Sequence, residues 1–135
     1  MPRFMVMAMA SKDFEAGPPP KPEAFAAMQQ YNEAAVKAGV LLAAEGLTAT
    51  SKGKRVKFSG DRRTVIDGPF AESKELVAGF MIIKVKSMDE AIEWVKRAPN
   101  VSQDGEGMVE IRKLMDIEDF GEGFTPNEEI AKVKY

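Results

Sequence analysis

The sequence predicts an α+β fold of the ferredoxin-like type, with the element order β-α-β-β-α-β and an inserted β-hairpin. Strand-length apolar segments and two amphipathic helical segments follow one another in this order. Between the second and third of these strands lie two short β-rich segments separated by a glycine turn, which is typical of a hairpin. The 135 residues, 44% of them hydrophobic, suit one domain. Such an order places two helices on one face of an antiparallel sheet.

The chain begins with a strand, a loop and a helix. Residues 3–10, RFMVMAMA, form a short apolar run without a helix cap and predict a strand. Residues 11–22 contain consecutive prolines, which exclude regular helix or sheet, so we expect a loop. Pro22 suits the first position of a helix that we expect to end at about Ala38, because Gly39 is a natural stop.

The middle of the chain predicts the second strand, the hairpin and a central strand. Residues 40–49 are apolar except for Glu45. Residues 55–59 alternate between apolar and polar, and residues 63–66 are short and β-branched, as hairpin strands are. Residues 76–85, LVAGFMIIKV, are the most apolar segment, and we expect them to form a central strand.

The last third predicts the second helix and the final strand. Ser87 and Glu90 have the spacing of a capping box, and apolar residues recur at helical spacing up to Val95. Pro99 ends this helix, and residues 108–114, MVEIRKL, alternate as a strand does. The acidic tail that follows does not resemble a regular element.

Composition excludes several classes of function. The net charge is −2, so the cationic surface of a nucleic-acid binder is missing. The chain has no cysteine and no histidine, which excludes disulfides, thiolate nucleophiles, imidazole metal sites and Ser–His catalysis. We expect no metal and no cofactor. The N-terminal apolar run is too short to span a membrane, and the lack of cysteine fits a reducing cytoplasm, where we expect the protein.

Residues 67–75, DGPFAESKE, closely resemble the signature of the YCII-related, or DGPF, family. Further segments also resemble this family: RFMVMAMASKD, AGVLLAAEGL (38–47), GFMIIKVKSMDEAIEWVKRAPN (79–100) and MVEIRKL. The resemblance implies a dimeric α+β barrel over residues 1–114, followed by an extension at 115–135. It also implies a sigma-factor-related regulatory context, because some members are encoded with, or fused to, such regulators. The His–Asp pair of some relatives cannot be carried over, because this chain has no histidine.

The strands themselves also predict a homodimer. Residues 3–10, 40–48 and 76–85 show too little alternation for a sheet with one solvated face. The second face therefore needs a cover, and a second copy of the chain would supply it. We expect the extension at 115–135 to pack on the domain or on the partner subunit.

The candidate catalytic residues are Glu45, Asp67 and Glu72. Glu45 interrupts an apolar strand, and a buried carboxylate is costly unless it pairs, with Arg112 or Lys74 as the expected partner. Buried without a partner, it would be a candidate general base. Asp67 either bonds backbone N–H groups of its turn or stands with the acids that follow at the mouth of a cleft.

The candidate ligand-binding residues each have a second interpretation. Glu72 and Lys74 share one face if the segment alternates, and form either a pair that binds a small anion or a solvated charge network. Lys12 follows the first strand, where a cleft would open, but most loop lysines are simply solvated. These candidates are Lys12, Lys74, Arg112, Phe70 and Trp94, of which the two aromatic residues serve equally well as core.

Three functions remain open from the sequence. The first is a homodimeric module that binds an unknown small molecule in a pocket edged by DGPFAESKE. The second is a lyase, isomerase or hydrolase that uses carboxylates, with Lys74 or Arg112 as oxyanion partner. The third is an interaction module with a docking tail. The first is favoured, and it predicts that Glu45, Asp67, Glu72 and Arg112 converge on one concavity.

Overall fold

A computed structural model describes residues 1–16, 21–71, 76–102 and 105–133 of the chain. The helices and strands are β1 (Arg3–Met9), α1 (Lys12–Ala16), α2 (Pro22–Lys37), β2 (Leu41–Gly46), β3 (Lys54–Ser59), β4 (Arg62–Asp67), β5 (Val77–Lys84), α3 (Met88–Lys96), β6 (Val109–Lys113) and α4 (Glu128–Ala131). Two 3₁₀ turns lie at Thr50–Lys52 and Ile117–Phe120.

Four strands form an antiparallel sheet in the order β2-β5-β1-β6. Without the hairpin, this is the order of the ferredoxin-like fold, and the predicted fold class is confirmed. The most apolar segment, β5, is central, as its composition predicted. Strands β3 and β4 pair only with each other among the described strands and form the inserted hairpin between β2 and β5.

Alternate residues of the sheet build the core beneath the helices. Phe4, Val6 and Ile83 lie on one face and cluster with Val85 and with Ala91 of α3. Ile83 is only 1% exposed. Burial of such a side chain stabilises the fold by about 1.5–3 kcal/mol. This packing fixes α3 on one side of the sheet.

The opposite face of the sheet carries Met5, Met7, Phe80 and Ile82, which the register places on the side away from this core. Met5, Met7 and Phe80 are half-buried, and Ile82 is buried. Helix α3 packs on the other face through Ala91, Trp94 and Val95, whereas on this face Ile82 is already buried within the single chain.

Helix α3 begins as its sequence predicted. The backbone N–H of Glu90 donates to Ser87 Oγ at 3.2 Å. The Glu90 carboxylate accepts from the backbone N–H of Lys86 at 2.8 Å, one residue before the cap. The first bond is the N-cap half of the predicted capping box, whereas the reciprocal bond goes to Lys86 instead of Ser87, so the box is only half formed.

The segment after β1 departs from the expected loop. Residues Lys12–Ala16 form a short helix, whose first turn is closed by the N–H of Phe14 donating to Ser11 Oγ at 3.2 Å. The prolines that argued against regular structure begin only at position 18. The prediction was therefore wrong for the five residues of α1, because a serine cap precedes the prolines.

The C-terminal tail also contains more structure than its sequence suggested. Asp116 and Asp119 form a capping box around the turn at Ile117–Phe120. Lys113 pairs with Asp119 at 2.8 Å and with Asp116 at 3.4 Å. The hydrogen bond from Lys113 lowers the pKa of Asp119 and raises the pKa of Lys113 itself. The tail is thereby anchored where it leaves β6.

None of the helices in the described ranges combines the length and the apolar character needed to cross a membrane. The longest of them, α2, has 16 residues and includes polar and charged side chains along its length.

Candidate functional site

A chain of hydrogen bonds joins α1, the 3₁₀ turn at Thr50–Lys52 and the DGPF segment. The Thr50 backbone N–H donates to Glu15 Oε2 at 3.2 Å, and Thr50 Oγ1 donates to the same oxygen at 2.8 Å. Thr50 Oγ1 also accepts from the backbone N–H of Phe70 at 3.1 Å. We call these three residues the Glu15–Thr50–Phe70 network. It ties together three segments that lie far apart in sequence.

The backbone is packed tightly at the base of the hairpin. Gly68 N–H donates to the Gly53 carbonyl at 3.0 Å, and Gly53 N–H donates to the Thr50 carbonyl at 2.9 Å. A Cβ atom on Gly68 would lie 1.7 Å from the Thr50 carbonyl oxygen. Only glycine fits there without a shift of the backbone. The next peptide bond, Gly68–Pro69, is cis.

The two other signature residues lie beside this base. Asp67 pairs with Lys54, its neighbour across the hairpin, at 2.5 Å, and both side chains are exposed. Phe70 is half-buried, with the Arg55 guanidinium 3.8 Å from its ring centroid. Phe70, for which core packing was the alternative to ligand binding, lies outside the main core cluster. The cation over its ring is a favourable contact of about 0.5–1 kcal/mol at such a site.

Glu15 is the unusual member of the network. Its Oε2 accepts two hydrogen bonds from Thr50, whereas Oε1 is buried and receives no hydrogen bond from the described residues. A buried acceptor without a donor costs about 1–3 kcal/mol, and more when it is charged. Native structures rarely keep such an atom without a water, an ion or a ligand to serve it. Asn32 Oδ1 on α2 is the other described atom of this kind, but only the Glu15 carboxylate also has its second oxygen fixed by two hydrogen bonds.

The structure does not bring Glu45 and Arg112 together. Glu45 lies on β2 and Arg112 on β6, and these strands form opposite edges of the sheet with β5 and β1 between them. Both side chains are exposed. The expectations of a buried Glu45 and of its pairing with Arg112 were therefore wrong, because the apolar strand that carries Glu45 is an edge strand and the acid lies near its end.

Trp94 lies at the contact between the two long helices. Its ring meets Tyr31 of α2 edge-on, with centroids 6.4 Å apart, and Arg97 lies 4.7 Å from its centroid. The Tyr31 hydroxyl donates to the Trp94 carbonyl at 2.7 Å. Burial raises the pKa of Tyr31, and the charge of Arg97 opposes that rise. These contacts place Trp94 in helix packing, and its predicted role in binding a ligand stays a prediction.

The side chains of three predicted site residues lie outside the part of the chain that the structure describes. Glu72 and Lys74 lie outside the described residues. Lys12 begins α1, but its side chain also lies outside the described part. Their predicted roles, and the convergence of Glu72 with Asp67, stay predictions.

Sequence reasoning missed Glu15 and Thr50. A local signal existed for Glu15, because Ser11 caps the turn that carries it. No local pattern links Glu15 to Thr50, which is 35 residues away. Such a contact follows from tertiary packing and leaves no periodicity in one sequence.

The other features of the described surface give less support for a binding site than Glu15 does. Among the described residues, no group of three or more acidic side chains is arranged to hold a metal ion. An open groove runs along α2, lined by Gln29, Asn32, Glu33, Val36 and Lys37. The described lining comes from a single helix, which supplies no converging set of polar groups.

Two comparisons relate the chain to known proteins. The model of the YCII-related domain family matches residues 3–118, which is most of the chain. An uncharacterised protein of Rhizobium meliloti (strain 1021) is 35% identical over 79 residues. That match covers 58% of this chain and 63% of the relative, so the chain spans less than two thirds of the relative's length.

Proposed function

The chain belongs to the YCII-related domain family, and we propose that it is a cytoplasmic, homodimeric module that binds a small molecule at Glu15, beside the DGPF segment. The observation that carries this proposal is the buried Glu15 Oε1, to which no described residue donates. The other carboxylate oxygen is held by two bonds from Thr50, so the orientation of the group is fixed before any ligand arrives. Fixing the orientation in advance lowers the entropic cost of binding.

The chemistry of Oε1 defines the class of ligand. An ionised carboxylate only accepts hydrogen bonds, so the ligand must offer an N–H or O–H group. A cationic amine is favoured over a hydroxyl, because a charge-assisted hydrogen bond is shorter and stronger. Phe70 joins the same network through its backbone N–H, and the Arg55 guanidinium lies over its ring. We infer a small polar molecule with an amine, amide or hydroxyl group.

The homodimer of this proposal uses the sheet face away from α3. Met5, Met7 and Phe80 are half-buried there, and helix α3 packs on the other side. An apolar sheet face is stable only when a second layer covers it, and a two-fold axis lets one face cover another copy of itself. The exposed Glu45, Glu110 and Arg112 supply a polar rim around such a contact.

The test is ligand binding by wild type and by the variant Glu15→Gln. The variant amide keeps one oxygen to accept from Thr50, but it turns an NH₂ group toward the donor of the ligand. We expect a library of amines, amides and polyols, screened by thermal shift and native mass spectrometry, to yield a binder for wild type. At one hundred times its Kd, such a binder stabilises the fold by about 2.7 kcal/mol.

Glu15→Gln should lose this stabilisation and keep the unliganded melting temperature within a few degrees. Glu33→Gln, at an exposed acid of α2, is the matched control and should bind like wild type. Equal binding by wild type and Glu15→Gln contradicts the proposal. Chemical conversion of a bound molecule during incubation would instead support the carboxylate enzyme that the sequence left open.

A further inference from the structure

The β3–β4 hairpin presents an apolar face that remains exposed in the single chain. Val56 pairs across the hairpin with Val65, and Phe58 with Arg63, so the three apolar side chains share one face. Phe58 is 68% exposed, and both strands are exposed along their whole length. A two-stranded hairpin alone is marginally stable in water, so this face favours a partner.

The C-terminal tail presents a second exposed apolar group. Phe120 and Phe124 contact each other, with ring centroids 5.8 Å apart, and Phe124 is 59% exposed. Ile130 of α4 is also exposed. The apolar faces of the hairpin and of the tail are therefore both exposed to solvent in the single chain. The tail does not cover the hairpin of its own chain.

The two segments have opposite charge. Residues 52–67 contain six basic and two acidic side chains. Residues 116–133 contain six acidic side chains and one basic side chain. Complementary charge around apolar contacts steers association and fixes which surfaces meet.

The sheet register places the roots of the two segments at opposite corners. The tail leaves β6 at Lys113, which lies beside Phe4 at the end of the sheet where β1 begins. The hairpin follows β2, which ends at Gly46 beside Gly79, at the other end of the sheet and on the other edge. With about 4.8 Å between strands and about 3.4 Å per residue, the two roots are about 20 Å apart. The pairing of Lys113 with Asp119 further holds the start of the tail at its own corner.

We propose that the acidic, aromatic tail of one chain docks on the basic hairpin of a second copy, with Phe120 and Phe124 against Val56, Phe58 and Val65. In a two-fold dimer this contact forms twice, because each chain gives its tail and receives the tail of its partner. This inference rests on the proposed homodimer, which supplies the second copy of the chain. It adds a contact between tail and hairpin to the proposed contact between the two sheet faces.

Site-directed cross-linking tests this contact, and the absence of native cysteine makes the result unambiguous. One variant carries Ser59→Cys in the hairpin, and the other carries Thr125→Cys in the tail, both at exposed positions. We expect an equal mixture, treated with a short bis-maleimide, to give a covalent dimer that joins residues 59 and 125. A chain with both substitutions, diluted into excess wild type, should not cross-link to itself. Self-linking in that chain, or no 59–125 product in the mixture, overturns the inference.

Charge reversal supplies a second measurement that does not depend on the linker. Arg63→Glu, on the face that carries Phe58, should lower the yield of the 59–125 product about threefold, as expected for one reversed exposed charge, whereas Lys57→Glu, on the opposite face of the hairpin, should change the yield little. Glu118→Lys with Glu122→Lys in the other chain should restore it, whereas Lys37→Glu on α2 should leave the yield unchanged. An equal loss with the α2 control, or no rescue, contradicts the docking. The mass of wild type in solution separates the two proposals: a dimer without 59–125 cross-links overturns only this inference, whereas a monomer overturns the homodimer on which it rests.

Discussion

Thr50 and Gly68 approach so closely that a Cβ atom on Gly68 would lie 1.7 Å from the Thr50 carbonyl oxygen. The neighbour is backbone, which is itself held by the N–H of Gly53 at 2.9 Å, so it cannot yield as a flexible side chain would. The glycine of the DGPF segment is thus required by space alone, since its φ does not lie among the positive values of the chain.

Replacement of Gly68 by alanine should destabilise the fold by about 2–4 kcal/mol, because the turn at Thr50 and the base of the hairpin must move apart. Urea unfolding measures the change. Gly46→Ala is the matched control, since a Cβ atom on Gly46 meets nothing within 4 Å, and it should change stability by less than about 0.5 kcal/mol. Equal effects of the two substitutions would refute the steric account.

Replacement of Thr50 by valine should cost about 1–3 kcal/mol, because it removes the hydroxyl that serves both Glu15 and the Phe70 N–H. Thr50→Ser keeps the hydroxyl and should recover most of that loss. Thr64→Val, at an exposed position of the hairpin, removes a hydroxyl of the same kind and should be nearly neutral. Unfolding free energies of the three variants check the prediction, and a Thr50→Val variant as stable as wild type would contradict the network.

Stability should fall in alkaline solution partly through Tyr31. Burial raises its pKa in the folded state above the ordinary value of 10.0. As the pH rises, the unfolded chain therefore loses the Tyr31 proton before the folded chain does. The stabilisation that Tyr31 contributes is complete below pH 10 and is lost as the pH rises through the folded pKa. Tyr31→Phe should be less stable at pH 8, because it loses the bond to the Trp94 carbonyl, but its stability should decline less between pH 9 and 11. Parallel decline of the two proteins in urea titrations would exclude this contribution.

Substitution of Met7 by lysine should turn the proposed homodimer into a monomer without unfolding it. Met7 lies on the sheet face away from α3, where a buried charge in a dimer contact would be costly. Phe25→Lys, at an exposed position of α2, is the control and should stay dimeric. Light scattering at micromolar concentration distinguishes these masses from the 14.8 kDa of one chain. A wild-type protein of that single-chain mass would rule out the homodimer.

The sequence predicted those features of the fold that local patterns control. The most apolar segment is the central β5, Ser87 caps α3, and the helix that begins at Pro22 ends just before Gly39, whose φ is 73°. Each of these depends on a few neighbouring residues. The short helix α1 was missed because the nearby prolines outweighed its serine cap.

The candidate site was harder to predict because its parts are distant in sequence. The unusual position of Glu45 in an apolar strand was read as a sign of burial, yet the strand lies at an edge and the acid is exposed. The acid with a buried oxygen is Glu15, in a segment whose polar composition resembles an ordinary loop. One sequence does not reveal that Thr50 lies beside it, because long-range contacts depend on how the elements pack.

The hydroxyl of Thr50 has a mechanical consequence. Thr50 Oγ1 donates a hydrogen bond to Glu15 and accepts one from the backbone N–H of Phe70, so a displacement of either segment is transmitted to the other. A ligand that displaces the Glu15 side chain would therefore also displace the base of the β3–β4 hairpin. The mobility of the hairpin would then differ between the ligand-bound and the ligand-free protein.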